Sequence, residues 1–258
     1  MPFRRLPLPV LSLLLLIALL AGCGSDDATD RAPGDPITEN EAEVLSGLLY
    51  RDFRAGGADF VVSAPYAEGA LVTLTGEVDF ARGVGRAQGV TSYADGRPDD
   101  TRTLFFTTED LWFGDVPGLS EALAGAGLPD AGYVRRPIAT TSATGTASLI
   151  DVLVQLVPRL SARAADDPRS FMERDYTWQG TKSVDGDLAS VFRNGTGTTV
   201  AVAAETTLLL QYVTRLPDQD FDVTITLTDH GTREIELPSD AETVNAVDHP
   251  DIVAAVGV

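Results

Sequence analysis

Residues 221–228, FDVTITLT, alternate strictly between apolar and polar side chains. The apolar side chains fall at every second position, at Phe221, Val223, Ile225 and Leu227. Successive side chains of a strand point to opposite faces, so this segment predicts a strand with one buried face and one face in water. Such strands are typical of antiparallel sheets, because parallel sheets are normally covered on both faces. The segment therefore predicts an antiparallel sheet.

The same period of two recurs through much of the chain. GALVTLTGEVDF, residues 69–80, alternates in the same way. Asp185-Gly186 and Asn194-Gly195 are dipeptides typical of hairpin turns. About nine or ten strands are predicted in all. Besides the two segments above, they cover residues 84–93, 101–108, 111–113, 176–178, 188–193, 198–203, 208–216 and 233–237.

Helical segments stand before, between and after these strands. Thr38 and Glu41 form a capping box at the start of a first helix, which is expected to run on to a stop at Gly56. A short helix over residues 119–126 and a terminal helix that begins near Pro250 are also predicted.

Residues 148–160, SLIDVLVQLVPRL, predict the most apolar helix of the chain. Its polar side chains form one narrow stripe, Asp151, Gln155 and Arg159, and Pro158 is expected to kink or end it. A helix that is apolar over most of its circumference must be enclosed on most sides.

The order of helix, strands, helices and strands predicts a single α+β domain, residues 37–258. In this domain a curved antiparallel sheet, a half-open β-barrel, wraps over the helices. The sequence contains no linker that would divide this range and no clear internal repeat.

The N terminus has the features of a secretory signal. Two arginines precede a short apolar run, residues 10–20, and then LAGC, residues 20–23. The run is shorter than the ~20 residues that cross a bilayer. LAGC matches the bacterial lipobox, which predicts a signal peptide over residues 1–22 and a diacylglycerol on the sulfur of Cys23. An ordinary signal peptide and a membrane-spanning anchor remain alternatives.

Residues 23–36 are predicted to be a flexible acidic tether, because most of them are Gly, Ser, Asp, Ala or Pro and offer little to bury. Such a segment reaches roughly 20 Å. The net charge of −19 falls to −21 once residues 1–22, which carry two arginines and no acid, are removed. So acidic a chain is not expected to bind nucleic acid.

Residues with catalytic or metal-binding chemistry are sparse. The single cysteine excludes an internal disulfide framework and a thiolate-rich metal site. The two histidines, His230 and His249, lie in predicted surface turns and in no metal-ligand spacing. No enzymatic activity, cofactor or metal site is therefore predicted.

The layout resembles the bacterial lipoprotein-carrier superfamily, which includes LolA, LolB, the mycobacterial LppX and LprG lipoproteins and RseB-type sensors. The resemblance rests on the lipobox, the first helix, "GALVTLTGEVDF", "YTWQGTKSVDGDLASVF" and "FDVTITLTDHGTREIELP". It covers most of residues 37–250. The Arg- and Ala-rich, Lys-poor composition further resembles actinobacterial proteins.

The resemblance implies a half-open antiparallel barrel with an apolar cavity between sheet and helices that holds acyl chains. The expected function is to bind or carry a lipid, glycolipid or lipidated molecule at the outer face of the cell membrane. An envelope sensor that regulates a protein partner is the alternative, and that partner is unknown. The candidates for cavity lining or plain core are Val72, Leu74, Leu104, Phe106, Trp112, Leu153, Leu156, Trp178, Phe192, Leu210, Tyr212, Val223 and Ile225.

Overall fold

One continuous sheet of twelve strands dominates the computed structural model, which describes residues 31–67, 69–139, 148–217 and 219–258. The strands are β1 (Gly57–Ala67), β2 (Ala70–Asp79), β3 (Val84–Tyr93), β4 (Asp100–Phe106), β5 (Asp110–Gly114), β6 (Tyr133–Pro137), β7 (Thr177–Val184), β8 (Asp187–Arg193), β9 (Thr199–Ala203), β10 (Leu209–Arg215), β11 (Asp222–Thr228) and β12 (Thr243–Asn245).

The strand order is β12-β6-β5-β4-β3-β2-β1-β11-β10-β9-β8-β7, so the sheet is not closed and β12 and β7 are its two edges. Strands β1–β6 form one meander and β7–β11 a second, and the two join where β1 pairs with β11. The predicted α+β fold with a half-open curved sheet is confirmed. One detail differs: β12 pairs in parallel with β6, which makes the sheet mixed rather than wholly antiparallel.

The helices are short. They are α1 (Glu39–Ser46), α2 (Leu48–Ala55), α3 (Leu119–Gly125), α4 (Leu149–Leu156), α5 (Pro168–Glu173) and α6 (Pro250–Val256), with 3₁₀ turns at Pro158–Leu160 and Asp240–Glu242. Within the part of the chain that the structure describes, no helix is long and apolar enough to cross a membrane.

The first helix begins as predicted but is broken in the middle. Thr38 and Glu41 form both bonds of the capping box. Gly47 then separates α1 from α2, where a single helix was predicted. The Arg51 guanidinium occupies the space that a side chain at position 47 would need. From there its Nε donates to the carbonyl of Thr207 at 2.9 Å, which ties α2 to the turn before β10.

The buried face of the sheet packs against these helices. The apolar side chains of β11 are fully buried, and the threonines between them are only half-buried, as the alternation predicts. In α4, Leu153 and Val154 are buried in the same core. The helix ends at Leu156 and a 3₁₀ turn starts at Pro158, so the prediction that this proline ends the helix is confirmed.

Other predictions of secondary structure were also wrong. Residues 233–237 form no strand, because Ile235 is buried while its carbonyl accepts from the Arg82 guanidinium at 3.0 Å instead of from a neighbouring strand. Conversely, β1, β6, β12 and the helix α5 were missed. β6 and β12 are too short to give a pattern. β1 is long, but its buried positions include the small Ala58 and Ala64 and its other face carries the exposed Val61, so its alternation is weak.

A close approach of β3 and β4 leads to a first prediction. A Cβ at Gly85 would overlap the ring of Phe106, which is fully buried and packs edge-on against Phe60 at 6.2 Å. We expect Gly85→Val to lower the free energy of unfolding by about 1–3 kcal/mol, as overpacking of a filled core does. Urea denaturation measures this.

The matched control is Gly125→Ala, because no atom lies within 4 Å of a Cβ built there. An unchanged unfolding midpoint for Gly85→Val would contradict the packing described.

Candidate functional site

Within the described residues, two of the cavities lie between the sheet and the helices. The first, the α4 cavity, has a volume of about 230 Å³ and lies between β2–β5, the start of α4 and the C-terminal residues. Its apolar lining residues are Val72, Val90, Leu104, Phe113, Ile150 and Val258. Thr91, Asp100, Arg102, Arg136 and Ser148 add polar groups to its wall. The wall of the α4 cavity is therefore a mixture of apolar and polar or charged side chains.

The charges of the α4 cavity are arranged as two ion pairs. Arg102 forms an ion pair with Asp100, which lies two residues earlier on β4. Arg136 reaches from β6 to Asp151 on α4, with 2.8 Å between Nη1 and Oδ1. Its guanidinium carbon also lies 5.0 Å from the ring centroid of Phe113. Both guanidinium groups are therefore held at the cavity wall in defined positions.

Asp151 departs from its expected place. It belongs to the predicted polar stripe with Gln155 and Arg159, yet only 1% of its surface is exposed. The other two residues do form a pair, with 2.9 Å between Nη2 of Arg159 and Oε1 of Gln155. Asp151 is buried because its carboxylate accepts from the backbone of Ala139 at 3.3 Å as well as pairing with Arg136.

The second space, the α5 cavity, has a volume of about 160 Å³ and lies beneath α1, α2 and α5 against β9 and β10. Two charged residues, Asp166 and Arg174, contribute to its wall. The rest of the lining is apolar or aromatic: Leu45, Leu48, Leu49, Phe171, Tyr176, Val200, Leu209 and Tyr212.

A third cavity of about 600 Å³ lies between α3, α6 and the β6–β12 edge. Asp130, Asp240 and Asp248 line it, and its one arginine, Arg135, is paired with Asp110 at 2.8 Å. An acyl chain is poorly matched to such a wall, because it would desolvate carboxylates without pairing them.

His230 and Asp52 form a buried titratable pair that the sequence did not predict. His230 was expected at the surface, but its side chain is 7% exposed, because the turn after β11 packs over α2. Its Nε2 lies 3.9 Å from Oδ1 of Asp52, which also accepts from the backbone of Leu209 at 3.1 Å. Burial raises the pKa of Asp52 to about 7 and lowers the pKa of His230.

The raised pKa of Asp52 gives a pH-dependent prediction. The pKa of Asp52 is near 3.9 in the unfolded chain and about 7 in the folded state. Between these two pH values the folded state holds a proton that the unfolded chain has lost. The contribution of Asp52 to stability therefore falls as pH rises through this range. His230 has the opposite effect on stability. Because its pKa is lowered in the folded state, its contribution to stability is lost as pH falls below about 6.5. We expect Asp52→Asn to gain about 1–3 kcal/mol relative to the wild type between pH 5 and pH 8.

Denaturation at several pH values checks this prediction, with Asp187→Asn as a control of equal charge change at an exposed carboxylate. A parallel dependence of wild type and Asp52→Asn on pH would refute it.

The structure places the predicted cavity residues in several environments. Val72 and Leu104 line the α4 cavity, and Tyr212 lines the α5 cavity. Leu156 and Trp178 are partly buried against the core. Six further candidates are buried in the main hydrophobic core: Leu74, Phe106, Leu153, Phe192, Val223 and Ile225.

Two further candidates are buried outside this core. Trp112 lies beneath Arg135, with 5.2 Å between the guanidinium carbon and the ring centroid. Leu210 belongs to a separate cluster with Val191 and Ala201. Cys23, the predicted lipidation site, lies outside the described residues.

Sequence reasoning missed Arg102 and Arg136 as residues of the cavity wall. For Arg102 a signal was present, because it shares the alternate positions of β4 with the buried Leu104 and Phe106. An arginine on the apolar face of a strand indicates a polar edge to the core. For Arg136 no such signal existed, since β6 was not predicted.

Comparison with known proteins finds similarity in structure only. No protein-family model and no curated protein matches the sequence. Among solved structures, the chain is similar to LprF from Mycobacterium bovis, with a TM-score of 0.43 and 13% identity over 80% of this chain and 98% of that one. An uncharacterized conserved protein from Thermus thermophilus matches with a TM-score of 0.38 and 10% identity, over 80% and 99% of the two chains.

Proposed function

We propose that this protein is a lipoprotein, anchored through Cys23 at the outer face of the cell membrane, that binds one apolar chain of a lipid or lipidated molecule. The observation that supports this most directly is the α4 cavity. Its lining combines apolar side chains from the sheet, α4 and the C-terminal residues with the guanidinium groups of Arg102 and Arg136. Such a combination of apolar wall and few placed polar groups is typical of ligand pockets.

The size of the α4 cavity limits the ligand. Pockets for drug-sized ligands are about 300–1,000 Å³, and this one is about 230 Å³. It can therefore enclose part of one acyl chain and not several chains. A guanidinium has five N–H donors, more than one carboxylate partner can accept, so Arg102 and Arg136 can also bind an anionic or hydroxyl-bearing headgroup.

The proposal is tested first by native mass spectrometry of the full-length protein purified from its own host, together with titration of a fluorescent fatty acid. We expect a bound mass and saturable uptake. A ligand-free mass with no uptake would falsify lipid binding, and capture of an envelope protein by crosslinking would then favour the sensor.

A blocking variant locates the binding site. Thr91 lines the α4 cavity, whereas its neighbour Ser92 lies on the opposite face of β3, where its hydroxyl donates to the carbonyl of Leu71 at 3.5 Å. We expect Thr91→Phe to weaken binding of the fatty acid at least tenfold, because the ring fills the space, and Ser92→Phe to leave it unchanged. Equal affinities of the two variants would place the ligand elsewhere.

A further inference from the structure

The two arginines of the α4 cavity use only part of their hydrogen-bonding capacity. Nη1 of Arg102 donates to the carbonyls of Thr101 at 3.0 Å and Asp115 at 3.4 Å, and the same nitrogen forms its ion pair. Nη1 of Arg136 donates to the carbonyl of Pro137 at 3.2 Å and also forms the ion pair of that side chain. Among the described residues, Nε and Nη2 of both arginines make no hydrogen bond, so their N–H groups remain for a further acceptor.

Partial burial makes these N–H groups costly to leave unbonded. The side chains of Arg102 and Arg136 are 24% and 18% exposed, so water reaches only part of each guanidinium. The guanidinium of Arg136 is also covered on one side by the ring of Phe113. A charged donor that is largely out of water favours a ligand with strong acceptors, because an unmade bond there costs more than one in water.

Other groups at the same wall also offer donors. The side chain of Ser148 does not cap α4, so the first N–H groups of this helix begin at the cavity without a side-chain acceptor. The positive end of the helix dipole adds to the potential of the two guanidinium groups. The hydroxyl of Thr91 lines the cavity as a further donor.

Negative charge at the wall is exposed and already partly used. Asp100 is the one acidic side chain among the described lining residues; it is 45% exposed and paired with Arg102. The backbone carboxylate of Val258, the last residue of the sequence, belongs to a half-buried residue and pairs with neither arginine. Exposed charges are screened by water and salt, whereas the N–H bonds of a half-buried guanidinium are directional and short-ranged. The free groups of the wall are therefore mainly donors.

We propose that the α4 cavity takes a lipid whose head is an oxyanion, a carboxylate or a phosphate, and that Nε and Nη2 of Arg102 and Arg136 bind its oxygens. This rests on the proposed function and names the class of head that the cavity selects. A hydroxyl head is the weaker match, because hydrogen bonds to an ionised acceptor are roughly twice as strong as neutral ones. Arg102 determines the specificity, since Arg136 also supports α4 through Asp151.

Two ligands with the same chain and different heads test the selection. The probes are a fluorescent fatty acid and its methyl ester, each titrated against the full-length protein. We expect the ester to bind at least tenfold more weakly, because it lacks the charged oxygens. Equal affinities of acid and ester would overturn the oxyanion head and leave binding of the chain in place.

A variant of Arg102 locates the bonds to the head. We expect Arg102→Met to weaken binding of the acid at least fivefold and to leave that of the ester within twofold, which also shows that the cavity is intact. Arg86→Met is the matched control, because Arg86 pairs with Glu77 at 2.8 Å but lies on the opposite face of the sheet, and it should change neither affinity. Equal losses for acid and ester in Arg102→Met, or an equal loss of acid binding in Arg86→Met, would contradict the assignment.

Inorganic phosphate separates the head from the chain, because a free anion offers the same acceptors. Complete displacement of the bound fatty acid by phosphate, with chloride at equal ionic strength without effect, would overturn a lipid head in favour of a free anion. If the wild type binds neither acid nor ester, the proposed function is refuted. Protection from urea by phosphate in the wild type and not in Arg102→Met would then still support the oxyanion site, and equal protection of both would overturn it as well.

Discussion

Replacing Cys23 by alanine is expected to abolish incorporation of an alkyne-tagged fatty acid completely. Cys23 is the only cysteine of the chain and the last residue of LAGC, so no other thiol can receive the lipid. Without the thioether, the lipoprotein signal peptidase has no substrate, and the variant should retain residues 1–22. Metabolic labelling and intact mass of the purified protein measure both consequences.

Ser25→Ala is the control, because it changes a neighbouring residue outside the lipobox and should leave labelling and processing as in the wild type. Label on the Cys23→Ala protein, or normal cleavage of it, would show that the N terminus is an ordinary signal peptide.

Replacing Arg136 by methionine is expected to lower the free energy of unfolding by about 3–5 kcal/mol, because it leaves the carboxylate of Asp151 buried and unpaired. The double variant Arg136→Met/Asp151→Leu should recover most of this loss, since an apolar pair of similar volume can replace a buried ion pair at little cost. Chemical denaturation of both variants measures the difference.

The adjacent Arg135 supplies the matched control. Its side chain is 39% exposed and pairs with Asp110 at the same 2.8 Å as Arg136 with Asp151. Exposed pairs contribute about 0–1 kcal/mol, so Arg135→Met should be nearly neutral. Similar losses for the two single variants would mean that the burial of Asp151 does not determine the cost.

Much of the fold could be predicted because its strands are solvated on one face. The alternation in residues 221–228 predicted both the strand β11 and which of its faces is buried. The capping box predicted where α1 begins. Three strands escaped prediction, among them β1, whose apolar alternation is weak. β12 has three residues, too few for a period, and it joins the sheet through a long-range parallel pairing. Tertiary contacts of this kind leave no local signature in a sequence.

The candidate site was less predictable. Apolar residues that line a cavity and those that fill a core obey the same pattern, so Val72 beside the α4 cavity and Leu74 in the core could not be separated. Buried charges were also hidden, because Asp52 and Asp151 look like solvated helix residues until their partners from distant elements are placed.

The edge strand β7 has a consequence for solubility. An open edge exposes unpaired backbone groups that can recruit another chain and begin aggregation. Here the beginning of β7 is capped by Gly34–Ile37, its middle has a bulge between Trp178 and Gly180, and beyond the bulge stands Lys182, the single lysine of the whole sequence. The segment Gly34–Ile37 therefore protects this edge of the sheet from pairing with a second copy.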